Sequence, residues 1–136
     1  MFEILEHPAD VGFRAMAPSL PELFEAAAEA LVAVVLDPVN IRPARAVTLS
    51  AEGDSRESLL VNWLSEVLYW LDGERFAFCG FKVREFDSGR ITADAQGERR
   101  DPARHEIRLV VKGITYHQLK IENSGRNWIC EVYLDV

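Results

Sequence analysis

The chain has 136 residues, of which 49% are hydrophobic and 27% are charged, and this composition is typical of an ordinary globular domain. Fifteen lysine and arginine residues against 22 aspartate and glutamate residues leave a formal net charge of −7. Because nucleic-acid affinity comes mainly from neutralising phosphates, this charge argues against a protein that binds RNA unaided. We expect a single domain spanning residues 1–136.

Two helices are predicted in the first half of the chain. The first begins at Ser19, where Glu22 three residues later would complete a capping box. It should end at Asp37 and Pro38, because proline cannot continue a helix. The second helix is predicted over about residues 55–71, where apolar residues recur at helical spacing.

The remaining segments alternate apolar and polar residues, which is typical of strands. The predicted strands are residues 2–6, 11–17, 46–52, 76–87, 90–99, 106–122 with a break, and 127–134. Turns at 87–89 and 123–125 each carry a glycine where a positive φ is tolerated, which indicates hairpins. The pattern predicts an α+β fold in which both helices pack on one face of a largely antiparallel sheet.

The alternation also assigns residues to the two faces of the sheet. In the last strand, the apolar set that should point inward is Trp128, Cys130, Val132 and Leu134, which sends Asp135 outward. The same counting sends Asp10 and Lys112 outward. We therefore expect Asp10, Lys112 and Asp135 to share the helix-free face or rim of the sheet.

Three carboxylates could converge at this rim. Asp10 lies where the first strand turns into the second, and Asp135 precedes Val136 with its α-carboxylate. An all-oxygen set suits Ca²⁺, Mg²⁺ or Mn²⁺ better than zinc. Two interpretations stay open: a metal site, or a turn aspartate that caps backbone N–H groups beside a solvated chain end.

The other histidines and basic residues give weaker signals. Counting by alternation places His117 on the inner face as a core histidine, and His105 is expected to secure the turn at 101–104. Basic residues are spaced four apart at Arg100, Arg104, Arg108 and Lys112. A modest basic patch therefore stays open as an interpretation, but this spacing does not indicate a dedicated RNA-binding surface.

The sequence also bears on the compartment. The first residues lack the basic start and long apolar stretch of a signal peptide, and the apolar run at 30–36 is far shorter than the roughly 20 residues of a membrane helix. Cys79 and Cys130 are too few for a disulfide framework and are expected to be buried thiols. A cytoplasmic protein without membrane contact is expected.

Seven segments with distinctive motifs run in order over nearly the whole chain, at residues 7–12, 19–27, 59–64, 97–98, 101–105, 112–117 and 128–136. In these segments the chain resembles the archease family. The resemblance implies a small α+β fold built on a strand-helix-strand-strand module. Pro8 stands where the family usually has threonine, and Gly113 stands where it usually has alanine.

The function implied by the resemblance is that of a non-catalytic protein cofactor. Archeases activate the GTP-dependent RNA ligase of the RtcB type, which acts in tRNA splicing and RNA repair, by promoting its guanylylation and multiple turnover. The partner would be this ligase, and RNA would be contacted only indirectly.

The resemblance also implies a set of site residues. The metal-binding positions of the family fall on Asp10, Asp135 and Val136, and its functionally important lysine corresponds to Lys112. The residues that would support the metal ligands are His7, Thr115 and His117. The implied cofactor is a divalent metal ion, with calcium expected in crystals and manganese or magnesium open as the functional ion.

Two functions from other classes stay open. The first is a chaperone-like modulator of tRNA methyltransferase specificity, which needs no metal. The second is a small metallohydrolase that would use Asp10, Asp135 and a histidine, although the sequence offers no convincing general base or nucleophile.

Overall fold

The structure, a computed structural model, describes residues 1–7 and 10–136. In chain order the elements are β1 Phe2–His7, β2 Asp10–Ala17, α1 Leu20–Val35, β3 Arg45–Glu52, α2 Arg56–Leu68, a π-helical turn Tyr69–Gly73, β4 Phe76–Phe86, β5 Arg90–Arg99, β6 Gly113–Ile114, β7 Lys120–Asn123 and β8 Trp128–Asp135. The α+β class predicted from the sequence is confirmed.

Both helices begin at a serine that caps the first turn. The Ser19 hydroxyl accepts the Glu22 N–H at 3.3 Å, as predicted, and the Ser55 hydroxyl accepts the Ser58 N–H at 3.0 Å. Helix α1 ends at Val35, just before Asp37 and Pro38. Helix α2 is shorter than predicted, because the chain changes to the π-helical turn after Leu68. Among the described residues, no helix is long and apolar enough to cross a membrane.

The strands form two antiparallel sheets, where the sequence had indicated one. The first sheet has the order β1-β2-β8-β6, with β7 also paired to β8, and the second has the order β3-β5-β4. Helix α1 contacts β2 and β4, and α2 contacts β3 and β6, so each helix packs against strands of both sheets. This double contact explains why α1 is buried around most of its circumference.

Most of the segment predicted as a strand at 106–122 is irregular. Within it, only β6, β7 and an isolated bridge between Ile107 and Leu36 pair with other strands or residues. The segment instead crosses the end of α1, where the Arg108 N–H donates to the Val35 carbonyl at 2.8 Å. That carbonyl lacks a partner within the helix, so this contact satisfies it. The prediction of a long strand was therefore wrong, because the main chain of this segment bonds to the end of a helix that is distant in sequence.

The two cysteines differ in environment. Cys130 is fully buried, as predicted, and burial raises its pKa to about 12. Cys79 is exposed, so its predicted burial is wrong. The register of β4 against β5 shifts between Phe78 and Gly80, which makes Cys79 the extra residue of a β-bulge. The bulge reverses the alternation of faces at this point.

The core is organised around Trp63, which joins the two helices. Its side chain is fully buried, and its indole N–H donates to the carbonyl oxygen of Phe24 at 2.9 Å. The bond satisfies the one polar atom of the ring inside an apolar core. Trp63 therefore fixes the position of α2 against α1.

We predict that Trp63→Phe lowers the free energy of unfolding by about 2 kcal/mol, because the change removes the buried hydrogen bond and leaves a cavity. Urea unfolding measures the loss. The matched control is Trp70→Phe, because Trp70 is only half-buried and its indole N–H donates to the half-buried Glu66 carboxylate at the edge of the core. An equal loss in both variants would contradict the role given to Trp63.

Candidate functional site

The pairing of β2 with β8 determines which residues meet at one end of the first sheet. Val11 pairs with Leu134 and Gly12 with Tyr133. Asp10 is the first residue of β2 and Asp135 is the last residue of β8. Continuing the register by one residue brings the main chains of Asp10 and Asp135 level on neighbouring strands. The side chains of His7 and Asp10, and the whole of Pro8, lie outside the described part of the chain.

Lys112 reaches the same strand end from the other side of β8. The Lys112 N–H donates to the carbonyl oxygen of Asp135 at 2.7 Å, and Gly113 pairs with Asp135. The side chains of Lys112, Asp135 and Val136 are all exposed. We call Asp10, Lys112, Asp135 and Val136 the strand-end site. Ligation of a metal ion by Asp10, Asp135 and Val136 stays a prediction.

Thr115 and His117 lie one strand away, beside Tyr133. The Thr115 hydroxyl donates to the Tyr133 carbonyl at 3.0 Å, and the ring of His117 lies 6.3 Å from the ring of Tyr133. His117 is exposed, so its prediction as a core histidine is wrong. The chain turns at Gln118, which has a positive φ of 52°, and counting faces across that turn fails. The supporting role of His7, Thr115 and His117 toward metal ligands stays a prediction.

Gly12 allows β2 and β8 to approach closely next to the strand-end site. A Cβ atom at this position would lie 2.4 Å from the Val132 carbonyl oxygen and 2.9 Å from Cδ1 of Tyr133. The ring of Tyr133 therefore packs directly on the Gly12 backbone. No side chain larger than hydrogen fits here. The sequence alone does not predict this requirement for glycine, because the contact depends on the neighbouring strand β8.

A recess of about 510 Å³ opens beside Lys112, between the end of α2 and the irregular segment. Tyr69 and Val110 both line it, and their side chains are 55% and 64% exposed. Exposed apolar side chains next to a charged group are typical of surfaces that contact another protein.

His105 is the centre of a second polar arrangement. With 1% of its surface exposed, it is a fully buried polar residue. Its Nδ1 accepts the Asp101 N–H at 2.8 Å, which secures the turn as predicted. Its Nε2 lies 3.1 Å from the Glu98 carboxylate, which also accepts hydrogen bonds from Arg104. The Arg104 guanidinium and the Arg42 N–H lower the pKa of Glu98 to about 2.

Comparison with known proteins identifies the family of this fold. The family model described as "Archease protein family (MTH1598/TM1083)" matches residues 2–136. The chain belongs to the archease family. Among its relatives, the protein archease of Sulfurisphaera tokodaii is 39% identical over 137 residues, covering 99% of this chain and 98% of that protein. The protein archease of Pyrococcus furiosus is 39% identical over 140 residues, with the same coverage.

Two solved structures share this archease fold. Protein 1598 of Methanobacterium thermoautotrophicum superposes with a TM-score of 0.75 at 35% identity, covering 99% of this chain and 98% of that chain. An archease of Thermotoga maritima, described as a possible chaperone, has a TM-score of 0.64 at 17% identity and covers 97% of this chain and 94% of that chain. At 17% identity, the similarity to the Thermotoga maritima structure shows a shared fold alone.

We predict that Gly12→Ala lowers the free energy of unfolding by about 1–3 kcal/mol, because the added methyl group overlaps the β8 backbone and the Tyr133 ring. Thermal or urea unfolding gives the value. The matched control is Gly80→Ala, since a Cβ atom at Gly80 meets nothing within 4 Å. Equal stability of the two variants would contradict the close approach at Gly12.

The low pKa of Glu98 predicts that part of the stability of the folded protein is lost at acidic pH. The carboxyl has an ordinary pKa of 4.5 and a folded pKa of about 2, so its stabilisation is complete above pH 4.5 and is lost as the pH falls toward about 2. The substitution Glu98→Gln removes this pH-dependent part of the stability. The variant should be less stable at neutral pH and should lose less stability than the wild type on acidification. Unfolding curves that fall in parallel over this pH range would contradict the prediction.

Proposed function

We propose that this chain is a non-catalytic accessory protein that binds a divalent metal ion at the strand-end site and activates a GTP-dependent RNA ligase of the RtcB type. It promotes guanylylation and multiple turnover of the ligase in tRNA splicing or RNA repair. The observation that carries the proposal is the β2–β8 register, whose continuation brings Asp10 level with Asp135 beside Lys112. Membership of the archease family supports the accessory role.

The donor chemistry of the strand-end site fits a hard divalent cation. Residues directly opposite on antiparallel strands have Cβ atoms roughly 5 Å apart, and like charges there repel each other. A cation shared by Asp10 and Asp135 would relieve that repulsion, and the main-chain oxygens of Val136 add further oxygen ligands. When bound, the ion supplies positive charge that neutralises phosphate oxygens of GTP.

Lys112 adds a positive charge: its main chain is held in place while its side chain can move. Its main chain is held by the hydrogen bond to Asp135, while its side chain is exposed. An ammonium group acts as a compact point charge toward phosphate. We infer that Lys112 orients a phosphate group at the ligase active site next to the cation, and that this chain itself makes and breaks no bond.

The surroundings of the site suit a protein partner. The recess lined by Tyr69 and Val110 opens beside Lys112, and Tyr116 and Val136 are also exposed. A ligase that covers this end of the sheet would bury these apolar side chains. Because the net charge of the chain is −7, the RNA would be held by the ligase.

The test uses a partner ligase in guanylylation and multiple-turnover ligation assays. We predict that Asp10→Asn and Asp135→Asn each reduce stimulation of the ligase about 100-fold. Loss of a metal ligand should cost more activity than loss of a residue that only holds a metal ligand in place. Lys112→Gln should reduce guanylylation while leaving divalent-metal binding intact.

The matched control is Glu122→Gln, which removes an exposed carboxylate from β7 in the same sheet. It should stimulate the ligase as well as the wild type does. Normal stimulation by the Asp135→Asn variant, or stimulation that persists in chelator, would contradict the metal-dependent proposal.

A further inference from the structure

A cleft lined by arginines lies outside the strand-end site. It has a volume of about 830 Å³ and is bounded by the segment that follows α1, the residue before β4, the end of β5 and the turn at 101–104. The arginines that line it are Arg75, Arg99, Arg100 and Arg104, and the acidic residues are Asp37 and Glu106. The cleft therefore has a local excess of positive charge in a chain whose net charge is −7.

Two of these arginines are committed to the protein itself. Arg104 forms ion pairs with Glu98 at 2.5 Å and with Asp101 at 3.4 Å. Arg100 donates from Nη1 to the Leu71 carbonyl at 3.2 Å. These bonds hold the floor and wall of the cleft in place.

The other two arginines are available to a ligand. Arg75 and Arg99 are exposed, and neither has an acidic partner within the described part of the chain. Their main chains are close, because Arg99 pairs with Phe76 and the Arg100 N–H donates to the Arg75 carbonyl at 2.7 Å. Two guanidinium groups on adjoining backbone can present several N–H donors to one anion.

The backbone of Arg75 points to a use for its side chain. Arg75 has a positive φ of 53°, a conformation that glycine adopts readily and that costs other residues about 1–2 kcal/mol. Fold stability alone would favour glycine at this position. An arginine held there is consistent with a function that outweighs the strain.

The surroundings favour a small ligand over a long polyanion. An extended RNA would meet the acidic surplus of the remaining surface, whereas a single phosphate within the cleft would lie within the range of the two free guanidinium groups. Val39 and Ile107 are exposed apolar residues at the wall of the cleft, and they offer contact to an uncharged part of the ligand.

We propose that this cleft binds the phosphate group of a small phosphate monoester, such as a nucleoside monophosphate, through Arg75 and Arg99. The site is separate from the strand-end site and adds a binding activity to the function proposed above. His105, Glu98 and Arg104 form the rigid support beneath it.

The test is titration of the full chain with AMP, inorganic phosphate and adenosine, followed by calorimetry and by the NMR signals of the arginine side chains. AMP and inorganic phosphate should bind and adenosine should not, and added salt should weaken binding. Arg99→Gln and Arg75→Gly should each weaken AMP binding about tenfold, because each removes charge-assisted hydrogen bonds. Arg126→Gln, which removes an exposed arginine from the turn between β7 and β8, is the matched control and should bind AMP normally.

Arg75→Gly separates function from folding. Because glycine suits the positive φ, this variant should unfold at the same or a higher temperature than the wild type while binding AMP more weakly. The proposal is overturned if AMP does not bind, if only an RNA oligonucleotide binds, or if both arginine variants bind AMP as well as Arg126→Gln does.

Discussion

The antiparallel pairing of β2 with β8 is the constraint on which the core and the strand-end site both depend. Side chains alternate between the two faces of a strand, so a slip of β2 by one residue would put Arg14 in place of Phe13 in the core. The close contact of the Tyr133 ring with the Gly12 backbone opposes such a slip. On the outer face, the Arg14 Nε donates to the Glu131 carboxylate at 2.9 Å and adds a cross-strand ion pair to the same register.

Features that depend on short stretches of chain could be predicted from the sequence. Ser19 begins α1 because a hydroxyl can accept an N–H three residues ahead, and the turn at 123–125 forms because Gly125 takes a φ of 96°. The inward set of β8 was also predicted correctly, and Cys130 and Val132 are fully buried. In β8 the alternation holds because the strand is paired without a bulge along its length.

Features that depend on tertiary contacts could not be predicted in this way. Counting faces assumes an unbroken ladder, and it failed at Cys79, where β4 bulges, and at His117, within the irregular segment and next to the turn at Gln118. The sequence placed Lys112 near Asp135 by face alone, whereas the contact is a main-chain hydrogen bond that alternation does not report. The arginine cleft was missed because Arg75 comes from a different part of the chain than the basic residues spaced four apart.

Net charge is a poor guide to the field at one site, because it counts paired and unpaired residues equally. Three arginines, Arg14, Arg84 and Arg104, are neutralised by carboxylates that contact them directly. The cations that remain for ligands are those such as Lys112, Arg75 and Arg99, which have no acidic partner in the described residues. At physiological ionic strength charges are screened over about 8 Å, so a phosphate group responds mainly to its immediate neighbours. A negative chain can therefore exclude an extended RNA and still attract a single phosphate at a cleft where unpaired arginines meet.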